Sequence, residues 1–180
     1  MVAAAEASWA QLQPWMPWAQ GESDPAAHQA WLATAQAAWS TGEAFQYAIL
    51  PAGQDVVAGS IGLMRRIGPG GLEIGYWVHS RYAGRGLVGA AAAALTAAGL
   101  ALDGVDHLEI HCDAANTASA AVAARLGYRH VETRPVPPSA PGETGQLQVW
   151  SLTRTAWPDS AAARRWLAGQ DAAGVDAPPP

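Results

Sequence analysis

A glycine-rich loop is the part of this chain whose residue types and spacing best define a chemistry. Gly84-Arg85-Gly86-Leu87-Val88-Gly89 lies between an apolar, strand-like run, Leu72 to Val78, and an apolar, helix-like run, Leu87 to Leu102. Backbone N–H groups in such a loop, aimed by the N-terminus of a helix, bind phosphate. The first hypothesis is therefore a nucleotide-like cofactor.

Taken literally as G-x-G-x-x-G, the loop has the fingerprint of a dinucleotide-binding protein, in which Asp113 or Glu109 could hold the ribose. The sequence around it argues against that interpretation. Five residues, His79 to Ala83, separate the strand from the first glycine, and about seventy residues precede the strand. In a dinucleotide fold the strand comes first and the glycine follows almost at once. An NAD(P)-binding protein stays as a distant third hypothesis.

Composition narrows the class of protein further. The chain has 180 residues, enough for one domain and its core, and its net charge of −5 gives no electrostatic footprint for nucleic acid. No apolar stretch is long enough to span a bilayer, and the N-terminus lacks the pattern of a signal peptide. The single cysteine has no disulfide partner. We expect a bacterial cytoplasmic protein without membrane or nucleic-acid partners. Its basic residues are all arginine, which excludes a Schiff-base lysine.

The loop must be positioned by the elements that flank it. Asp24 and Pro25 signal a helix start, Gly42 a helix end, and one β-α-β crossover surrounds the loop. We expect an α+β fold with a mixed, mostly antiparallel sheet and flanking helices. One domain would span 1–157, followed over 158–180 by a short helix and a disordered tail that begins at Gly169. The predicted helices are Val2 to Leu12, Pro25 to Thr41, Leu87 to Leu102, Thr117 to Leu126 and Asp159 to Leu167; the predicted strands are Ala44 to Leu50, Val56 to Arg66, Leu72 to His79, His107 to Asp113, Tyr128 to Thr133 and Leu147 to Thr153.

Several motifs occur in an order that resembles the GCN5-related N-acetyltransferases (GNAT), in particular the RimJ/RimL-like branch that acetylates ribosomal-protein N-termini. The resemblance is carried by Leu72-Glu73-Ile74-Gly75-Tyr76-Trp77-Val78-His79, Gly84-Arg85-Gly86-Leu87, His111-Cys112-Asp113-Ala114-Ala115-Asn116-Thr117-Ala118-Ser119 and Arg125-Leu126-Gly127-Tyr128, with a looser match at Gln13-Pro14-Trp15-Met16-Pro17-Trp18.

The resemblance implies transfer of an acetyl group from acetyl-CoA, as co-substrate and without a metal, to an amine on a peptide N-terminus or a small molecule. It also implies a V-shaped splay between two central strands, in which the pantetheine arm lies. Family members usually open with a strand before the first helix, so that strand is expected to be absent here. The reason would be a misplaced start or a tolerated unpaired edge, and such an edge would favour dimerisation. Monomer and homodimer both stay open.

The family's loop pattern can be placed on this sequence in two registers. It matches Arg81 to Gly86 literally and Ala83 to Val88 poorly, but we prefer the second because the family's helix begins directly after the pattern. Coenzyme A binding is expected in either register, since the phosphate is held mainly by backbone N–H groups. The alternative is that the glycines only pack a helix against a strand.

By resemblance, the cofactor would meet the end of the central strand, the loop and the start of the helix after His107 to Asp113. Arg81 and Arg125 could also meet phosphates. The predicted cofactor-binding residues are Trp77, Val78, His79, Gly84, Arg85, Gly86, Leu87, Val88, Gly89 and Asn116.

Two residues are candidates for the chemistry. Glu73 would face the acceptor side as the base, and Ser119 would be the acid that protonates the departing thiolate. Each has a structural alternative: Glu73 could pair with Arg65 or Arg66, and Ser119 could lie in a helix cap made by Asn116. A catalytically silent acyl-CoA-binding domain of the same fold is therefore the second hypothesis.

Other residues could contribute to the same site. Glu132 and Glu143 are reserve bases, while His111 and Cys112 are expected to be structural. Trp15 and Trp18 could either line the acceptor site or anchor their loop to the core.

Overall fold

The computed structural model describes residues 1–173, with side chains described through residue 170. Its helices are α1 (Val2–Glu6), α2 (Trp9–Leu12), α3 (Pro25–Thr41), α4 (Leu87–Ala101), α5 (Thr117–Leu126) and α6 (Ala161–Ala173), and its strands are β1 (Ala44–Ile49), β2 (Gly59–Met64), β3 (Gly71–Val78), β4 (His107–Asp113), β5 (Arg129–Pro135) and β6 (Gln146–Thr153). Short 3₁₀ turns occur at Pro17–Ala19, Ser80–Tyr82 and Trp157–Asp159.

The strands form one sheet in the order β1-β2-β3-β4-β6-β5. The pair β3 and β4 is parallel, and the other neighbouring pairs are antiparallel. This confirms the predicted α+β fold with a mixed, mostly antiparallel sheet. The parallel pair is joined by α4, which is the crossover predicted around the glycine loop.

Helix α4 packs closely against the centre of the sheet. Its sheet side carries small residues, Ala92, Ala93 and Gly99, which pack against large strand side chains such as Leu108. A Cβ on Gly99 would lie 2.9 Å from Leu108 Cδ2, so a larger residue here would require the Leu108 side chain to shift. Small residues on the helix and branched ones on the strands let the two layers approach closely, which fixes where the N-terminus of α4 lies.

The first predicted helix, Val2 to Leu12, is interrupted at Ser8. Its hydroxyl is buried and accepts a hydrogen bond from the backbone N–H of Ser80 at 3.1 Å, immediately after β3. Serine competes for backbone groups and favours helix ends, so α1 and α2 form separate short helices. The N-terminal segment is thereby tied to the turn that precedes the glycine loop.

Helix α6 packs on the same core, through Ala162 and Trp166. It runs to Ala173, beyond the predicted end at Leu167, because one glycine, Gly169, costs a helix only about 1 kcal/mol relative to alanine. The rest of the predicted disordered tail, 174–180, lies outside the described residues, and the domain boundary at residue 157 stays a prediction. None of the helices within 1–173 has the length and apolar character needed to cross a membrane.

Candidate active site

A cleft of about 1440 Å³ opens beside the centre of the sheet. That volume exceeds the 300–1,000 Å³ or so of a typical small-ligand pocket. The cleft is lined by the N-terminal segment, the second halves of β3 and β4, the glycine loop, and the first turns of α4 and α5. It therefore collects most of the motifs that the sequence singled out.

The parallel strands β3 and β4 are paired over three positions only. Gly71, Leu72 and Glu73 of β3 lie opposite His107, Leu108 and Glu109 of β4. Both strands continue past this register, and their remaining residues, 74–78 and 110–113, line the cleft.

The glycine loop ends at the N-terminus of α4. Gly86 is the N-cap, and its φ of +79° is a conformation that glycine adopts without strain. Over the described residues, no side chain caps this helix, whereas Asp24 caps α3 and Asn116 caps α5. The first N–H groups of α4 are thus available to an anion in the cleft.

The start of α4 corrects the preferred loop register. The helix begins at Leu87, directly after Arg81 to Gly86, and not after Ala83 to Val88. Loop residues that line the cleft are Gly84, Gly86, Leu87, Val88 and Gly89. Arg85 is outside the lining, with its guanidinium 5.5 Å from the ring centre of Tyr82.

Ser119 lies in the cleft against a tyrosine. Its Oγ is 2.8 Å from the Tyr76 hydroxyl, whose single proton can go either to this oxygen or to the Ser119 carbonyl at 3.3 Å. Burial raises the pKa of Tyr76, against the opposing effect of the Ser119 hydrogen bond, so the phenol stays protonated. Asn116 accepts from the Ser119 N–H at 3.1 Å while also lining the cleft. The Ser119 hydroxyl takes no part in this cap, so it is available for chemistry.

Glu73 is buried in a charged cluster rather than open to the cleft. Arg66 Nε donates to Glu73 Oε2 at 2.8 Å, which is the pairing that the sequence had left open. His111 lies beside it, with Nδ1 3.6 Å from Glu73 Oε2 and Nε2 2.6 Å from Glu109 Oε2. The His111 side chain lines the cleft, whereas the Glu73 side chain does not.

The other predicted residues divide between the cleft and its surroundings. Trp77 and Val78 line it, whereas His79 turns away and its Nδ1 accepts from the Arg81 N–H at 3.0 Å. Glu143 lines it, but its carboxylate accepts from the N–H groups of Ser139 and Ala140. Glu132 is exposed on β5.

One end of the cleft is an aromatic wall, which we define as Trp9, Trp18, His28 and Trp77. The rings meet edge to face, with centroids 5.4 to 6.1 Å apart. Trp9 donates to the Gly21 carbonyl at 2.9 Å, which anchors the wall to its loop, while Trp18 stays 44% exposed. Trp15 and Trp18 both line the cleft, and the anchoring hydrogen bond comes from Trp9, which the sequence did not single out.

Sequence reasoning missed several residues of the cleft, among them Tyr76, His111 and Arg165. The sequence presents Tyr76 only as part of a motif, indicates a structural role for His111, and places Arg165 after the predicted domain boundary. Arg125 lines the cleft as the sequence suggested, and Arg81 does not. The alternation along β3 and β4 could have placed Tyr76 and His111, but no local signal marks Arg165.

The sheet with one short parallel pair, the glycine-capped helix and the large cleft agree with the architecture that the GNAT resemblance implies. Residues 2–129 match the family model described as an acetyltransferase (GNAT) domain. The chain therefore belongs to the GNAT acetyltransferases, a family of acetyl-CoA-dependent N-acetyltransferases. No curated protein sequence matches it.

Solved structures with this fold include three acetyltransferases bound to the cofactor. RimL, a ribosomal alpha-N-protein acetyltransferase in complex with coenzyme A, has a TM-score of 0.77 and 21% identity, over 86% of this chain and 87% of that chain. Mycobacterium smegmatis RimJ in complex with CoA-disulfide has a TM-score of 0.79 and 22% identity, over 93% and 82%. The microcin self-immunity acetyltransferase MccE in complex with acetyl-CoA and AMP has a TM-score of 0.77 and 16% identity, over 84% of each chain. The likeness shows a shared fold.

Proposed function

We propose that the protein transfers the acetyl group of acetyl-CoA to a primary amine, on a peptide N-terminus or a small molecule, by direct attack in a ternary complex. The observation that carries the proposal is the end of β3–β4 pairing after Glu73, in the same cleft as the N-terminus of α4, which no described side chain caps. Coenzyme A needs both features: the strand ends can hold its extended thiol arm, and the N-terminus of α4 can hold its diphosphate. The cofactor complexes of RimL and MccE lend support.

The cofactor would lie across both features. We infer that β3 and β4 diverge as a V beyond Glu73, so the backbone of Val78 can pair with the pantetheine arm as a strand would, whereas the Trp77 carbonyl faces β2 and Trp77 would meet the arm through its side chain. The His79 backbone is engaged elsewhere, since its N–H donates to the Ala58 carbonyl at 2.7 Å and its carbonyl accepts from the Tyr82 N–H at 2.8 Å. The diphosphate would bind the N–H groups of Leu87, Val88 and Gly89 at the start of α4. In this placement the thioester lies between Ser119 and the aromatic wall.

In the reaction, the amine nitrogen attacks the acetyl carbon and the bond from carbon to sulfur breaks. The thiolate that leaves takes a proton from the Ser119 hydroxyl, which Tyr76 orients across 2.8 Å and which regains a proton from solvent after the product leaves. The attacking amine also loses a proton, on the side of the thioester away from Ser119. There we assign His111, whose side chain lines the cleft, as proton acceptor, with Glu109 Oε2 2.6 Å from its Nε2 to orient the ring. Glu73, 3.6 Å from Nδ1, stabilises the proton once it has arrived.

The acceptor would enter at the aromatic wall. Glu22, Asp24 and Glu143 also line this cleft and give it negative charge. Aromatic rings and carboxylates together favour an ammonium group next to an apolar side chain. Both a peptide N-terminus and a hydrophobic small amine have this chemistry.

Acetyl-CoA is expected to raise the melting temperature, and NADH is not. At 100 times its Kd, a ligand of the native state adds about 2.7 kcal/mol, or roughly 5–10 °C for a chain of this size. A thermal-shift titration checks this, and an amine screen with thiol-release detection then checks turnover. A shift with NADH alone would overturn the proposal. A shift with acetyl-CoA but no turnover with any amine would favour the silent acyl-CoA-binding domain.

Glu73→Gln is expected to lower kcat about 10-fold, less than the 10²–10⁴ typical of a direct acid or base because Glu73 acts through His111, and to leave the Kd of coenzyme A unchanged. If Glu73 acts through His111, its substitution should cost nothing further in a His111→Gln background. Glu132→Gln is the matched control, because it makes the same change on an exposed strand outside the cleft. Additive losses in the double variant would show that Glu73 does not act through His111.

A further inference from the structure

We propose that Arg165, on the C-terminal helix α6, binds a phosphate group of the cofactor. The inference rests on the proposed function, because it takes the cleft as the coenzyme A site. It adds a residue from outside residues 2–129, the part of the chain that matches the family.

Helix α6 is held in a fixed place beside the glycine loop. Ser160 caps it, accepting from the Ala163 N–H at 3.0 Å, and Ala162 and Ala163 are buried. Trp166 packs on the core from the next turn. Arg165 therefore projects from a rigid helix and not from a loose tail.

The guanidinium of Arg165 reaches the N-terminus of α4. Its Nη2 donates to the Gly86 carbonyl at 2.9 Å, and the side chain lines the cleft together with the loop. A guanidinium has five N–H donors, so the bond to Gly86 leaves donors for an anion. A phosphate at the first N–H groups of α4 would lie next to them.

Two loop glycines lie against this side chain. A Cβ on Gly86 would lie 3.1 Å from Arg165 Nη2, and one on Gly89 would lie 3.6 Å from its Cζ. The Arg165 guanidinium thus lies along the loop where the diphosphate would bind.

The negative charge of the cofactor favours a positively charged side chain at its binding site. The chain carries a net charge of −5, and coenzyme A is a polyanion. The arginines lining the cleft are Arg66, Arg125 and Arg165, and Arg66 is already paired with Glu73. Arg165 is the one in direct contact with the loop. Arginine is well suited to this role because its planar fork matches phosphate geometry.

The test measures the Kd of coenzyme A and of 3′-dephospho-coenzyme A by calorimetry for the wild type, Arg165→Ala and Arg164→Ala. We expect Arg165→Ala to weaken coenzyme A binding about 10-fold. Arg164 is the matched control: it is the neighbouring residue on the same helix, is exposed, and donates to the Asp159 carbonyl at 2.8 Å, away from the cleft lining. Its substitution should change Kd less than twofold.

The two ligands identify which phosphate is bound. If Arg165 contacts the 3′-phosphate, the loss in Arg165→Ala disappears with 3′-dephospho-coenzyme A; if it contacts the diphosphate, the loss persists. Kd values within twofold of the wild type for both ligands would overturn the inference. Failure of the wild type to bind either ligand would instead overturn the proposed function. Arg165→Gln, which keeps most of the side-chain stem, repeats the test should the alanine variant unfold.

Discussion

Replacement of Ser119 by alanine is expected to lower kcat about 100-fold while the Kd of coenzyme A stays within about twofold of the wild type. In the proposed reaction this hydroxyl delivers the proton to the departing thiolate, and loss of a general acid typically costs 10²–10⁴ in rate. The substitution removes the donor without disturbing the helix, because Asn116 caps α5 through the Ser119 backbone N–H. A change in kcat alone would indicate an interaction made in the transition state.

Tyr76→Phe tests the same hydrogen bond from the other partner and is expected to cause a smaller loss than Ser119→Ala. It removes the hydroxyl that lies 2.8 Å from Ser119 Oγ but leaves the ring in place, so we expect a loss in kcat of about 10-fold. Thr117→Ala is the control. It removes an exposed hydroxyl from the same first turn of α5, outside the cleft lining, and should leave kcat within twofold. If Ser119→Ala also stays within twofold, Ser119 is a structural residue and the thiolate takes its proton elsewhere.

Elements with strong local signals were predicted closely from the sequence. Strand β4 and helix α5 have the predicted bounds. Alternating apolar residues define β4, and Asn116 and Gly127 mark the start and the end of α5. The predicted strand ends were less accurate at β2, which was expected from Val56 and begins at Gly59. There the strand length depends on pairing with β1 and β3 and not on its own residues.

The site was predicted less completely than the fold, because its partners are distant in sequence. Tyr76 and Ser119 are separated by 43 positions and meet through the packing of α5 on the sheet. Glu73 reaches His111 only because β3 and β4 are parallel in one particular register. The residue pattern showed that Glu73 could face the acceptor side or pair with an arginine, and only strand register could decide between them.

Asp113→Asn is expected to lower the free energy of unfolding by about 3 kcal/mol, a shift of roughly 6–12 °C in melting temperature. The buried carboxylate of Asp113 ends β4 and accepts five hydrogen bonds. They come from the Ala115, Thr144, Gly145 and Gln146 N–H groups and the Thr144 hydroxyl, at 2.8 to 3.2 Å. Asparagine places an N–H₂ group where one oxygen accepts, so at least one buried donor loses its partner. Asp103→Asn makes the same charge change at an exposed position and should have an effect below about 0.5 kcal/mol.

The same carboxylate predicts how the effect depends on pH. Burial disfavours the charged form of Asp113, but the donated hydrogen bonds outweigh it and lower the pKa from 3.8 to about 2. A group with a depressed pKa in the folded state stabilises the protein fully above its unfolded pKa and loses that contribution as pH falls through the folded value. The stability difference between wild type and Asp113→Asn should therefore be constant above about pH 5 and narrow between about pH 4 and 2. Urea unfolding across this range measures it. A difference that does not change down to pH 2 would mean that the Asp113 charge does not hold the loop before β6 to the end of β4.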